Sequence, residues 1–117
     1  MSTYALAETA DGVAAAWETA QQIYSADLNP ATGTVSAPAV VPGEGSRKHP
    51  SIAVNVAGDR LIAWAEGTAW KRGGRIAWRL TDNKGSERSS AADAGSVPVW
   101  GLVSAVAMPD GSFTILR

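Results

Sequence analysis

Apolar residues alternate with small or polar ones in three separate stretches, and each stretch is interrupted once by a turn signal. Tyr4 to Glu18, Pro50 to Glu66 and Val103 to Leu116 each read as an apolar strand, an Asp/Gly turn and a second apolar strand. Period-two alternation puts successive side chains on opposite faces, as a half-buried strand requires. The turns are expected at Asp11-Gly12, Gly58-Asp59 and Asp110-Gly111, because these residue types accept positive φ. Asp11, Gly58 and Asp110 stand 47 and 52 residues apart.

The segments after the first two hairpins also match each other. Tyr24 to Leu28 precedes a turn through Gly33, and Ile76 to Leu80 precedes a turn through Gly85, again 52 residues on. Each reads as a third strand, a turn and a fourth, outer strand, the outer strands being Val35 to Val41 and Glu87 to Ala92. A period of about 40–50 residues with four strands per unit is that of propeller blades. The expected fold is therefore all-β, a partial β-propeller of about two and a half four-stranded blades. The chain is read as a single unit, 1–117, with blade one at about 2–45, blade two at about 47–95 and a half blade at about 99–117. The Pro/Gly/Ser-rich segments 42–46 and 93–98 are the links between blades.

One stretch carries a competing signal. Leu6, Val13, Trp17, Ala20 and Tyr24 recur at near-helical spacing in an alanine-rich segment. Strands are preferred, because the same positions align with Ile52 to Glu66, which alternates cleanly and holds β-branched residues. In stacked blades the alanines supply a small-residue face where sheets crowd together. Trp17, Trp64 and Trp78 then fill the wider spaces between them.

Composition narrows the function classes. Hydrophobic residues are 45% and charged residues 18%, which supports a packed core rather than disorder. The formal net charge of -1 offers no electrostatic footprint for nucleic acid and no polybasic membrane anchor. No apolar run is long enough for a transmembrane helix, and residues 1–12 do not have the make-up of a signal peptide. There are no cysteines, hence no disulfide framework and no thiol chemistry. The cysteine count does not fix the compartment, so localisation stays unknown; a secreted or periplasmic parent protein is compatible with it.

The run from Arg47 through His49-Pro50 to Trp64-Ala65-Glu66 resembles the blade signature of sialidase-like (BNR or Asp-box) β-propellers. In that family a His-Pro or similar pair opens the inner strand and a Trp-Ala/Thr-Glu ends the second. The continuation Gly67 to Trp78 is similar to bacterial sialidase-like proteins. The resemblance spans most of the chain, whereas a whole propeller of the family has about six blades. The Asp-box reads Ser/Thr-x-Asp-x-Gly-x-Thr-Trp. Here the matching turn is Thr81 to Gly85, with no Thr-Trp after it. The arginine triad, Tyr/Glu nucleophile pair and Asp acid/base of true sialidases do not map onto this chain. The resemblance thus implies the fold more than the activity.

Candidate chemistry is sparse. Glu18 and Glu66 follow the second-strand tryptophans and are expected near one rim, where a carboxylate pair would suit glycoside hydrolysis. The alternative is a strand-end carboxylate paired with a nearby base. His49 is the single histidine, a general base or ligand on one reading and a backbone-bonded residue at the start of the blade on the other. Arg47, Lys48, Lys71, Arg72 and Arg75 form the only basic concentration, with Trp70 among them. Guanidinium groups grip carboxylates and an indole face stacks on a sugar ring, so this set suits an acidic glycan. Gly73-Gly74 reads as a hairpin turn and not as a phosphate loop.

The expected role is that of a non-catalytic propeller fragment, structural or ligand-binding, with a glycan as the ligand. Its expected binding residues are Trp70, Lys71, Arg72, Arg75, Arg47, His49 and Glu66. The rival is a fragment of a sialidase-like glycoside hydrolase whose other catalytic residues lie on missing blades. No catalytic, metal or cofactor-binding residue is assigned and no cofactor is called for. Unpaired sheet edges and a wet apolar face argue for a homo-oligomer, most simply a twofold dimer.

Overall fold

The computed structural model describes residues 4–117. Twelve strands and no helix are found there, in antiparallel sheets none of which closes on itself. The alanine-rich start is three strands, β1 (Tyr4–Thr9), β2 (Gly12–Thr19) and β3 (Gln22–Asn29). The helical spacing loses because pairing β1 with β2 gathers Ala5, Ala7, Ala14 and Ala16 on one face.

Sheet one continues with β4 (Thr34–Val35) and β5 (Ala39–Val40), both paired with β3. The expected outer strand 35–41 is thus broken in two. Pro38 has no N–H for the ladder, and Ser36 instead bonds Asp27 through backbone and side chain, both at 2.8 Å. Sheet two comprises β6 (Arg47–Val54), β7 (Arg60–Glu66) and β8 (Gly74–Thr81), and β8 then carries β9 (Glu87–Ala91) and β10 (Ser96–Val97). The expected outer strand 87–92 is β9, and β10, inside the segment expected to be a link, pairs with the other end of β8. The last pair, β11 (Ser104–Ala107) and β12 (Phe113–Leu116), is a lone hairpin.

Three hairpin loops share one geometry. In 55–59, 82–86 and 108–112 the first residue's N–H donates to the fifth residue's carbonyl, and the fourth residue's N–H to the first's, at 2.8–3.1 Å. The fourth residue is Gly58, Gly85 or Gly111, with φ between 86° and 89°. This is a type I turn closed by a left-handed bulge glycine. The glycine follows the tip rather than forming it, so the turns sit at Val56-Ala57 and Pro109-Asp110, upstream of their expected places. In the first hairpin Thr9 pairs with Gly12, leaving Ala10-Asp11 as the tip.

The sheets stack through two cores. The alanine face of sheet one meets Ile52, Ile62 and Trp64 of sheet two. On the other face of sheet two, Ala63, Ala65 and Ile76 meet Ala105 and Ile115 of the hairpin. Strand β6 touches both β1 and β11. Polar ties cross both seams. Arg60 pairs with Asp27, Ala105 N–H donates to Ser51 Oγ at 2.9 Å, and Asn55 Nδ2 donates to the Gly111 carbonyl at 2.9 Å.

Candidate functional site

The segment between β7 and β8 is a small hairpin of its own. Ala69 and Arg72 form a bridge, so the tip is Trp70-Lys71, with Lys71 at φ 56°. Arg72 Nε donates to the Gly67 carbonyl at 3.0 Å and braces the loop. Gly73-Gly74 is not the turn. These glycines let the chain pass close to neighbouring backbone, since a Cβ there would collide with the carbonyls of Val97 and Glu66.

Trp70 is 76% exposed, and its neighbour is Trp100, 70% exposed, on the turn between β10 and β11. The two rings meet edge-to-face, with centroids 5.0 Å apart and planes at 82°. A perpendicular pair is a favoured aromatic geometry, and it leaves each indole a face open to solvent. Trp100 went unforeseen in the sequence. Its signal was a large aromatic in the turn Pro98 to Gly101, where φ is 64° at the tryptophan. Lys71 and Arg72 are exposed beside Trp70.

The other expected binding residues are drawn elsewhere. Arg47 is 3% exposed. Its guanidinium donates to the carbonyls of Val41 at 2.7 Å and Pro42 at 2.6 Å, stands 3.4 Å from Glu66 Oε1 and lies over the Trp64 ring at 4.8 Å. Glu66 Oε1 also accepts from Trp64 Nε1 at 2.8 Å. Arg47 and Glu66 therefore form a structural knot and do not join the loop tip. A bulge makes it so. The register slips between Lys48 and Ser51, with His49 at φ 55°. Strict alternation from Ile52 would send Arg47 to the opposite face; one extra residue returns it to the face of Glu66 and Trp64. His49 is half-buried in this bulge, and Lys48 is half-buried beside it. Arg75 is exposed and pairs with Asp93 at 3.5 Å.

Glu18 and Glu66 do not converge. Glu18 is one residue past Trp17 and Glu66 two past Trp64, so they point to opposite kinds of face. Glu18 accepts from the Gln21 N–H at 2.7 Å. Among the described residues no three His, Cys, Asp or Glu side chains cluster as a metal site would. A groove of about 720 Å³ lies between Trp78 and Leu80 of sheet two and Phe113 and Ile115 of the hairpin.

Comparison with known protein families, with curated proteins and with solved structures finds no match.

Proposed function

We propose that the chain is a non-catalytic, sialidase-like partial propeller that binds an acidic carbohydrate at the Trp70–Trp100 tip. The observation that carries this is the exposed perpendicular indole pair with Lys71 and Arg72 beside it. An indole face covers the C–H face of a sugar ring, and adjacent cations attract a sugar carboxylate. Exposed large aromatics on loops of a rigid β scaffold are positioned for recognition at little conformational cost. The stacking of two like sheets and a hairpin supports the propeller reading of the fold.

The glycan reading is tested by titrating sialylated and uronic-acid oligosaccharides against the chain and its Trp70→Ala and Trp100→Ala variants. Each variant is expected to weaken binding at least about tenfold, the size of one lost stacking contact. Their unfolding free energies stay within about 1.5 kcal/mol of the parent, because only an exposed aromatic pair is lost. Binding that survives both substitutions overturns the site. A large drop in stability would mark the pair as structural.

A further inference from the structure

Two loops distant in the sequence form one tip, and an acidic sugar accounts for only part of what it presents. Segment 67–73 is braced by the Ala69–Arg72 bridge and by the bond from Arg72 to the Gly67 carbonyl. Segment 98–102 runs between Val97 and Val103, both buried in the second core, and turns where the Gly101 N–H donates to the Pro98 carbonyl at 2.8 Å. Gly73 lies so close to this second segment that a Cβ on it would collide with the Val97 carbonyl. The tip is therefore held at both roots, and little ordering is left for binding to supply.

Besides the two indoles the tip carries Val99 and Leu102, one residue before and two after Trp100, 44% and 62% exposed. A hydroxyl-rich ring gains little from aliphatic side chains. Nor do the two segments contain any Asp, Glu, Asn or Gln to bond its hydroxyls. Lys71 and Arg72 are exposed. The carboxylates that precede the two segments, Glu66 and Asp93, pair instead with Arg47 and Arg75. The tip thus combines four exposed apolar side chains with two cations and no neutralising carboxylate of its own.

We propose that this tip docks on an anionic lipid surface, with Trp70, Val99, Trp100 and Leu102 entering the boundary between headgroups and acyl chains and Lys71 and Arg72 meeting the lipid phosphates. Indoles favour that boundary, because the ring body is apolar and its N–H still reaches polar groups. Aliphatic side chains gain there in proportion to the area they bury. Each cation close to an anionic leaflet adds about fivefold in affinity. Stable attachment takes two signals, apolar insertion and charge, and the tip carries both. The lipid contact goes beyond the carbohydrate reading and does not depend on it.

The test uses the whole chain with vesicles of phosphatidylcholine and phosphatidylglycerol at about three to one, and with vesicles of phosphatidylcholine alone. The chain should sediment with the mixed vesicles and bind the neutral ones at least about tenfold more weakly, as two cations require. Lipid brominated near the top of its acyl chains, built into the mixed vesicles, should quench tryptophan emission, because the indoles reach that depth. Val99→Ser combined with Leu102→Ser should weaken binding to mixed vesicles at least about tenfold, from the aliphatic area no longer buried. Its far-UV circular dichroism spectrum should match wild type. The lipid contact is overturned if the chain does not sediment with mixed vesicles, binds neutral vesicles equally well or sediments without quenching. A folded double variant that binds like wild type overturns it too. Free sialylated oligosaccharide, titrated against wild type, tests the carbohydrate reading separately. Vesicle binding without sugar binding overturns that reading and supports the lipid contact, and sugar binding without vesicle binding does the reverse.

Discussion

Arg47 shows most sharply how a residue's role depends on its surroundings. On composition alone it belongs with the basic residues near Trp70; in the fold its charge is spent on Glu66, two carbonyls and an indole. Removing one partner of a buried pair costs about 3–5 kcal/mol, because the remaining groups lose their compensation. Arg47→Ala should therefore destabilise the chain by an amount in that range, read from urea unfolding. An effect below about 1 kcal/mol, typical of a surface pair, would contradict the buried knot. Arg47 could not be separated from Lys71 and Arg72 in the sequence, because the bulge at His49-Pro50 reverses the alternation that places it. Trp70 was legible as a loop aromatic. Its partner Trp100 was not, being thirty positions away and brought near only by the packing of the β10–β11 connection.

The hairpin loops 55–59, 82–86 and 108–112 are one solution used three times, with their glycines in left-handed backbone. Gly85 has open space around its missing side chain, whereas a Cβ on Gly58 would stand 3.0 Å from the Asn83 Cβ. Gly85→Ala should cost about 1–2 kcal/mol, the penalty of left-handed φ for an L-residue. Gly58→Ala should cost more, since Asn83 must also shift; thermal melts that rank them the other way would refute that clash. Carboxylates complete two of the loops. The Lys84 and Ser86 N–H groups donate to Asp82 and hold its carboxyl below its ordinary value of 3.8. The Ser112 hydroxyl and N–H do the same for Asp110. A carboxyl lowered on folding stabilises above its unfolded pKa, and that contribution is lost as pH falls through the folded value. Melting temperature should thus fall as pH drops below about 4. The fall should be shallower in the Asp82→Asn, Asp110→Asn double variant, whose amide oxygens accept without titrating. Equal slopes would remove these loops from the acid response.

The described residues form a stack with two packed seams. Ties such as Ser51 to Ala105 and Asn55 to Gly111 hold the hairpin on sheet two although it lacks outer strands of its own. The face of sheet one turned away from sheet two carries the stacked row Tyr4, Trp17 and Tyr24, with Tyr4 exposed and the other two half-buried. An apolar face of this kind is a usual mark of an interaction surface. If copies of the chain associate through this face, tryptophan emission should quench or shift as concentration rises. Emission that stays constant through the assembly transition would place the contact elsewhere.

Period-two alternation and recurring Asp/Gly signals suffice for an all-β chain of like hairpins, since both are local properties of backbone and side chain. The small face of β1 and β2 is equally local: alternating alanines land together whatever the sheet later meets. Packing decided the rest. It split the first outer strand, added β10 beside the second, moved each turn tip ahead of its glycine and buried Arg47 with Glu66. It also sent Glu18 and Glu66 to different faces and set Trp100 against Trp70. These outcomes turn on register, where one inserted residue exchanges the two faces of a strand, and on contacts between distant segments that no local pattern encodes.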